Sequence, residues 1–312
     1  MTETAVAIEK AQKNRATIFV EDGEVIDVST FPGEQYIFRL QAPQCASHAL
    51  PGSFVHAQCD TELPMRRPLS IMRANPEEGW IDLLFKVVGE GLRLFATKKT
   101  GDKLSLIGPI GRPFEPHTDR PNALLIGGGV GIPPIIFLAE QLKNNNWHPL
   151  VLMGSEIPFP FELQKSELDC GWLPEEISSA MLLLEEWKIP SRLASLSDFD
   201  GCHHGFVTDL GENYLASLTP EQMAKTEVFA CGPTPMLEAV AKLARKYDLP
   251  CQVSLEEFMA CAVGGCAGCT VLVQTPDGPA MKRVCVDGPV FDAAAVFPQE
   301  LHKPHSAGHD VS

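Results

Sequence analysis

Two hydrophobic patterns divide this chain. From about residue 15 to residue 115, short runs rich in Val, Ile, Leu and Phe are interrupted by Gly, Pro and Asp, as in QYIFRLQAP, SFVHAQC and GWIDLLFKVVG. Short strands at this spacing are typical of a small antiparallel barrel or sandwich. One helix-like stretch, GLRLFATKK, precedes the last of them. We therefore expect an antiparallel β-barrel domain over residues 1–117.

The pattern changes near residue 120, where NALLIGGGVGIPPIIFLAEQLKN has the order of a buried strand, a glycine turn and a helix. Pro133 and Pro134 suit a helix start, where the backbone N–H groups have no intrahelical partner. Apolar runs follow at HPLVLMGS, AMLLLEE and TEVFACG, the last leading into the amphipathic MLEAVAKLARKY. This alternation predicts a doubly wound α/β domain over residues 118–248. Residues 156–205 give no clear strand order.

A small third domain is expected over residues 249–298. It contains four cysteines, the strand-like TVLVQT and a turn at PDG. The tail over residues 299–312 is polar and lacks periodicity, which predicts disorder. Its three histidines, His302, His305 and His309, leave a metal role as the alternative.

Charge and length narrow the function. The 312 residues carry a net charge of −15, and no basic stretch provides the Lys/Arg footprint that a nucleic-acid binder needs. The sequence has no run of about 18 apolar residues, which is the length that a membrane span requires. The first residues, MTETAVAIEKAQKNR, lack the basic start and apolar run of a signal peptide. We expect a cytoplasmic enzyme or electron carrier.

Four of the ten cysteines fall within 25 residues, at Cys261, Cys266, Cys269 and Cys285. The spacing is C-x4-C-x2-C, then fifteen residues and the fourth cysteine, which is the order of plant-type [2Fe–2S] centres. Structural zinc sites usually pair cysteines as C-x2-C twice, and the second pair is missing here. The spacing therefore predicts a [2Fe–2S] cluster, with zinc or no metal as the alternatives.

A second candidate site is the glycine turn at Gly127, Gly128, Gly129 and Gly131, which follows a buried strand and opens a helix. Such a turn allows a pyrophosphate to approach the helix N-terminus, although glycine turns also serve tight packing. Past the next strand, Ser155 and Glu156 stand without an arginine nearby. An acid there would bind the ribose 2′-OH of NAD and repel the 2′-phosphate of NADP, unless Glu156 is simply a solvated loop residue.

Two shorter segments add weaker signals. Cys231, Gly232 and Pro233 end the strand TEVFA, at the edge where α/β sheets bind ligands. At that edge, Cys231 either lies against the reacting nicotinamide and flavin rings or is a small buried thiol. Upstream, RRPLS and FKVVGEG place arginine, serine, lysine and glycines where a diphosphate and a flavin could bind, though a surface arginine pair is also common.

In this order, RPLS, FKVVGEG, GGGVGIPP, CGP and the four cysteines resemble the ferredoxin-reductase superfamily. The segment SLEEFMACAVGGCAGC, with RVCVDGPVF after it, more closely resembles the electron-transfer subunits of NAD-dependent dihydroorotate dehydrogenase. The likeness covers nearly the whole chain beyond residue 15. It implies an FAD-binding barrel, an NAD-binding α/β domain and a C-terminal [2Fe–2S] domain.

The resemblance also implies roles for particular residues. FAD would contact Arg67, Pro68, Leu69, Ser70, Leu84, Phe85, Lys86, Gly91 and Leu92. NAD would contact the four turn glycines together with Cys231, Gly232 and Pro233, with Cys231 near the nicotinamide and flavin rings as the one catalytic candidate. Two features depart from the family: Leu92 replaces the usual threonine, and the acid-rich insert from 156 to 200 is long.

These cofactors would make a relay. NADH gives a pair of electrons as hydride, a [2Fe–2S] centre carries one, and a flavin converts between the two. The sequence contains no eight-fold βα repeat and no HExxH, GxSxG or Walker motif, so the electrons must pass to or from another protein. By the resemblance, that partner is an FMN-containing dihydroorotate dehydrogenase catalytic subunit in a heterotetramer.

Two alternatives stay open at this point. A sulfhydrogenase or a ferredoxin:NADP oxidoreductase uses related NAD(P)H-linked flavin and iron–sulfur subunits. A zinc-binding regulatory protein would be a non-enzymatic alternative.

Overall fold

The N-terminal part is a closed barrel of antiparallel strands in a computed structural model that describes residues 17–143 and 146–299. The strand order is β1-β2-β5-β4-β3-β6. The strands are β1 (Phe19–Phe31), β2 (Gln35–Gln41), β3 (Phe54–Ala57), β4 (Arg67–Asn75), β5 (Trp80–Lys86) and β6 (Lys103–Ile110). Two helices lie between them, α1 (Pro43–His48) and α2 (Gly89–Phe95).

Alternating apolar positions fill the barrel. Phe38, Phe85 and Phe95 are almost fully buried, and their ring centroids are 5.0–5.3 Å apart. Side chains alternate between the two faces of a strand, so Leu84, next to Phe85, packs outward in the core shared with the α/β domain. The helix α2 carries Phe95 into the barrel and leaves its glycine-rich start at the rim.

The second half is built on a seven-stranded sheet. Its strands and those beside it are β7 (Asn122–Gly128), β8 (His148–Gly154), β9 (Leu163–Lys165), β10 (Ser179–Met181), β11 (Ser191–Ser195), β12 (His203–His204), β13 (Thr226–Cys231), β14 (Cys251–Ser254), β15 (Thr270–Thr275), β16 (Gly278–Arg283) and β17 (Val290–Asp292). The helices are α3 (Ile132–Leu142), α4 (Leu182–Glu186), α5 (Val207–Ser217), α6 (Pro220–Ala224), α7 (Thr234–Lys246), α8 (Val284–Asp287) and α9 (Ala293–Val296), with a 3-10 turn at Gly129–Gly131.

The sheet order is β12-β11-β8-β7-β13-β14-β17, and all neighbours are parallel except the last pair. The carboxyl ends of β7, β8 and β13 therefore meet at one edge. That edge carries the glycine turn and the Cys231 segment side by side, since Cys231 is the register partner of Gly127.

The predicted fold class, an antiparallel barrel followed by a doubly wound α/β domain and a small cysteine-bearing unit, is confirmed. Residues 156–205 contain the β9–β10 hairpin, and the run AMLLLEE ends β10 and forms the short helix α4. The boundaries at 117, 248 and 298 stay predictions. Two strands beyond residue 248, β14 and β17, belong to the sheet.

The barrel and the α/β domain are joined through Arg73 on β4. Its guanidinium makes a two-point ion pair with Glu140 on α3, Nη2 to Oε1 at 2.7 Å and Nε to Oε2 at 3.1 Å. The guanidinium also lies between the rings of Trp80 and Trp187, 5.4 and 5.1 Å from the ring centroids. Cation–π contacts and a half-buried ion pair together fix this interface.

The C-terminal unit consists of the β15–β16 hairpin, α8, α9 and the loop before β15. Across the described ranges, no helix combines the length and the apolar character that crossing a membrane requires. The predicted tail, with His302, His305 and His309, lies outside the described residues apart from position 299.

Candidate functional site

The four C-terminal cysteines meet as two pairs, and strand register explains the first. Thr270 in β15 faces Arg283 in β16, so Cys269, just before β15, comes beside Cys285, just after β16. The Val284 amide donates a hydrogen bond to the Cys269 carbonyl at 2.9 Å. The two sulfur atoms lie 3.4 Å apart and both side chains are buried.

Cys261 and Cys266 form the second pair, on the loop that precedes β15. The amides of Gly265 and Cys266 donate to the Cys261 sulfur at 3.2 and 3.4 Å. The Gly268 amide donates to the Cys266 sulfur at 3.4 Å. The loop thus turns its N–H groups toward the sulfurs.

This loop is held in an unusual backbone conformation. Ala262 and Ala267, each directly after a cysteine, have φ of 56° and 55°, in the left-handed region that residues with a β-carbon rarely adopt. Such conformations persist where the surroundings enforce them, often at ligand sites. Here they let the chain curl around the sulfur atoms.

The pairing decides which metal group fits. Within residues 17–143 and 146–299, no three or more His, Cys, Asp or Glu side chains converge as a site for a single metal ion. A [2Fe–2S] cluster instead takes two cysteine thiolates at each of its two irons. Two pairs with inward N–H donors therefore suit the two-iron cluster better than a single zinc ion.

The two pairs differ in their protonation. Burial disfavours the Cys261 thiolate, but backbone donors, with that of Val263 the largest, outweigh it and lower the pKa of Cys261 to about 7. Burial, with the hydrogen bond to Cys269, raises the pKa of Cys285 to about 12. A metal ion must displace these protons, since the thiolate is the ligand.

Exposed apolar side chains surround the cysteine loop. Phe258 is 95% exposed, and Leu272 and Met281, direct partners across the β15–β16 hairpin, are also exposed. Val263 and Val286 extend this surface beside Cys266, which is itself exposed. We call these five apolar residues the cluster-side patch. Leu272 and Met281 are paired across the hairpin and Val286 lies beside Gly264 of the loop, and grouped apolar side chains mark interaction sites more often than scattered ones do.

The flavin candidates lie at the barrel rim. Arg67 at the start of β4 donates through Nη1 to the carbonyls of Met65 and Arg66 at 3.0 and 3.1 Å, which folds the guanidinium toward α2. A β-carbon on Gly91 would lie 3.0 Å from the Arg67 Nη2. The cationic group and a bare backbone turn thus stand together, a combination that suits a diphosphate.

The remaining flavin candidates divide between the two faces of their strands. Leu84 packs toward the α/β domain, whereas the ring of Phe85 points into the barrel core, so Phe85 can meet a flavin only through its backbone. Ser70 is half-buried, next to the buried Leu69. Leu92 packs against the barrel core and has no hydroxyl for a phosphate.

The glycine turn and the Cys231 segment interlock. A β-carbon on Gly131 would overlap the backbone of Cys231 and Gly232, and one on Gly128 would overlap the Met236 side chain. Gly129 has φ of 54°, and a β-carbon on it would meet no atom within 4 Å. Gly131 and Gly128 therefore serve close packing, while Gly129 leaves an open face at the carboxyl edge of the sheet.

Cys231 is buried and its thiol is kept neutral. Burial raises its pKa well above the ordinary thiol range, the nearby Glu256 raises it further, and a hydrogen bond with Ser254 opposes this only in part. Glu256 follows β14, the parallel neighbour of β13. Surrounding protein raises the pKa of Glu256 although its side chain stays accessible.

Sequence reasoning missed Glu256. The available signal was its position after an apolar strand, since carboxyl ends of parallel strands share one edge of the sheet.

Ser155 and Glu156 follow β8 at the same edge. The Ser155 amide donates to the Ala194 carbonyl at 3.1 Å and its hydroxyl to the Ile157 carbonyl at 2.7 Å, so that hydroxyl already has an acceptor. Glu156 is exposed. Its backbone carbonyl accepts from the Ser197 hydroxyl at 3.3 Å. The Glu156 side chain, rather than Ser155, is therefore the group available to a ribose.

The glycine turn, Cys231 and Glu156 thus share the carboxyl edge of the sheet, the Arg67 segment lies at the barrel rim, and the cysteine pairs lie beyond β14. Residues 256–297 match the family model described as the iron–sulfur cluster binding domain of dihydroorotate dehydrogenase B.

Two curated relatives are similar over most of their length, both named "Dihydroorotate dehydrogenase B (NAD(+)), electron transfer subunit". The protein from Desulforamulus reducens is 30% identical over 274 residues, 87% of this chain and 96% of the relative. That from Caldanaerobacter subterraneus subsp. tengcongensis is 32% identical over 248 residues, 79% of this chain and 87% of the relative.

Solved structures show the same fold. A chain of the NADH-dependent reduced ferredoxin-NADP oxidoreductase superposes with a TM-score of 0.71 at 26% identity, covering 88% of this chain and 89% of the other. The ferredoxin reductase of carbazole 1,9a-dioxygenase superposes with a TM-score of 0.57 at 24% identity, covering 75% and 67%. The second likeness concerns the fold alone.

Proposed function

Because this chain belongs to the family of the electron transfer subunits of dihydroorotate dehydrogenase B, we propose that it passes electrons between NAD(H), FAD and a [2Fe–2S] cluster. The electrons go to or come from an FMN-containing catalytic subunit that interconverts dihydroorotate and orotate in pyrimidine biosynthesis. The observation that carries this proposal is the arrangement of the four cysteines as two pairs with inward N–H donors.

The residues have separate tasks in this proposal. Cys261, Cys266, Cys269 and Cys285 hold the cluster. The barrel domain, residues 1–117, holds FAD through Arg67, Pro68, Leu69 and Ser70, Leu84, Phe85 and Lys86, and Gly91 and Leu92. The α/β domain, residues 118–248, holds NAD through Gly127, Gly128, Gly129 and Gly131 with Cys231, Gly232 and Pro233. Residues 249–298 form the cluster domain.

The flavin supplies the exchange between a two-electron hydride and single electrons. The protein residues orient its partners. Arg67 offers a cation to the diphosphate beside Gly91. Cys231 presents a neutral thiol at the carboxyl edge, where burial keeps that thiol away from water. Glu156 accepts from the ribose hydroxyls and disfavours a 2′-phosphate, so NAD is preferred to NADP.

The catalytic subunit docks on the cluster-side patch. This surface combines Phe258, almost fully exposed, with the thiol-bearing loop. Aromatic anchors of this kind dominate the binding energy of protein interfaces. We place the assembly, a heterotetramer, in the cytoplasm, where NAD(H) is available and thiols stay reduced.

Anaerobic titration of the purified protein with NADH, followed by visible absorption and EPR, tests the proposal. We expect the flavin absorption to bleach and a reduced [2Fe–2S] signal to appear. If NADH bleaches nothing whereas dithionite does, the NAD assignment is wrong. Cys269→Ser should abolish the cluster signal and leave FAD reduction by NADH largely intact, and loss of both would contradict separate sites.

A second candidate function has one specific observation in its favour. The chain superposes over 88% of its length on a chain of the NADH-dependent reduced ferredoxin-NADP oxidoreductase. A role as the corresponding subunit predicts binding to a ferredoxin-linked partner. Mixing the protein with each purified partner and measuring NADH-dependent reduction of orotate or of ferredoxin separates the two functions.

A further inference from the structure

Arg283 reaches from the strand β16 to the cysteine loop. Its Nη1 atom donates a hydrogen bond to the Gly264 carbonyl at 2.9 Å. Gly264 lies between Cys261 and Cys266, while Arg283 is two residues before Cys285. A single side chain therefore ties the loop that bears one cysteine pair to the segment that bears the other.

The peptide that Arg283 holds is in direct contact with a cysteine. The Gly264 carbonyl and the Gly265 N–H belong to one peptide group, and that N–H donates a hydrogen bond to the Cys261 sulfur at 3.2 Å. Gly264 has φ of 82°, and a β-carbon on it would lie 2.6 Å from a methyl carbon of Val286. Gly264 is thus fixed by its backbone conformation, by the closeness of Val286 and by Arg283, and the Gly265 N–H that follows it is held toward the Cys261 sulfur.

Arg283 is itself held by Asp287, one helical turn further on. The Arg283 amide donates to the Asp287 Oδ2 at 2.8 Å, and the Arg283 Nε lies 3.9 Å from the same oxygen. The Arg283 side chain is 42% exposed, so this ion pair contributes little to the free energy of unfolding. What the contacts provide is the orientation of the guanidinium.

We propose that Arg283 is a positioning residue for the cluster, which aligns the Gly265 N–H with the Cys261 sulfur and so raises the reduction potential of the [2Fe–2S] centre. An N–H donor stabilises the more negative, reduced cluster more than the oxidised one. Asp287 acts through Arg283. This inference rests on the cluster assignment proposed above.

EPR-monitored redox titration of the holoprotein measures the effect. We expect Arg283→Met to shift the equilibrium toward the oxidised cluster by about tenfold at a fixed potential, which is 59 mV for one electron. Lys282→Met is the matched control. It removes the same charge from the adjacent residue, whose side chain points to the opposite face of β16. Its shift gives the contribution of charge alone.

The sign of the potential shift in Asp287→Ala distinguishes the orientation of Arg283 from the effect of charge on the cluster. Removing a negative charge near the cluster raises the potential by electrostatics alone. Loosening Arg283 lowers it, and we expect a net shift of about threefold toward the oxidised form. This variant also decides the matter if Arg283→Met fails to assemble a cluster.

Equal shifts in Arg283→Met and Lys282→Met, or a raised potential in Asp287→Ala, would overturn the positioning role. Absence of any [2Fe–2S] signal in the unaltered protein would overturn the proposed function itself, a different and separately visible result.

Discussion

The guanidinium of Arg67 lies over Gly91, with its Nη2 atom 3.0 Å from where a β-carbon on that glycine would be. The two residues belong to different elements, β4 and α2, that meet at the barrel rim. A cation is thereby placed against a backbone stretch free of side-chain bulk. A larger residue in place of Gly91 would press on the guanidinium that is proposed to bind the FAD diphosphate.

Arg67→Ala should weaken FAD retention about tenfold to a hundredfold, because a charge-assisted contact to phosphate contributes about 1.5–3 kcal/mol. Flavin released on gel filtration at low concentration, followed by its fluorescence, measures this. Arg93→Ala, which removes the same charge from an exposed position on α2, is the control and should keep its FAD. Equal retention in both variants would contradict the FAD role of Arg67.

Gly129→Ala should weaken NADH binding at least tenfold while costing only about 1–2 kcal/mol of stability for the left-handed backbone. The added methyl meets no protein atom within 4 Å, so it can only obstruct a ligand at the open face. Gly278→Ala, in the β15–β16 turn, is matched because its φ is also positive, at 108°, and its surroundings are open. Calorimetric NADH affinity should be unchanged in the control; if it is also unchanged in Gly129→Ala, the diphosphate binds elsewhere.

Cys231→Ser should slow FAD reduction by NADH about tenfold or more without loss of FAD or of the cluster signal, since the serine keeps the size but not the polarisability of the thiol. Stopped-flow absorption at several pH values checks this. Burial and Glu256 raise the pKa of Cys231, so its thiol stays protonated as the pH rises to 9. The rate should therefore show no step between pH 8 and 9 that is absent from the serine variant, and such a step would mean that the thiol titrates at its ordinary pKa.

Phe258→Ser should weaken binding of the catalytic subunit about tenfold to a hundredfold, as expected for a buried aromatic anchor. Phe206→Ser is the matched control, because Phe206 is also exposed but precedes α5, in the α/β domain. Sedimentation velocity of the mixed subunits measures both. If binding is weakened only in the control, or in neither variant, the interface does not lie on the cluster-side patch.

Local patterns predicted the parts of this molecule that depend on local chemistry. The alternating apolar runs predicted the barrel strands. The order of strand, glycine turn and prolines predicted β7 and α3. The spacing of the four cysteines indicated a cluster because three ligands of such a centre come from one short loop. Each of these signals is contained in a short segment of the chain.

The parts that were missed depend on pairings distant in sequence. The hairpin β9–β10 encloses residues 166–178, and its strands are only three residues long, too short for a period to appear. The membership of β14 and β17 in the sheet is set by their register with β13 and with each other. Glu256 was overlooked for the same reason, since its nearness to Cys231 follows from that pairing.

The continuity of the sheet through β14 and β17 has a consequence for the modularity of the chain. β14 lies between β13 and β17, and Ser254 at its end is the register partner of Cys231. A truncation after residue 248 would leave β13 as an unprotected edge and strip that partner from the thiol. Moving this iron–sulfur unit to another reductase would therefore require a cut within this sheet. The proposed NAD-binding domain and the iron–sulfur unit would have to be transferred together.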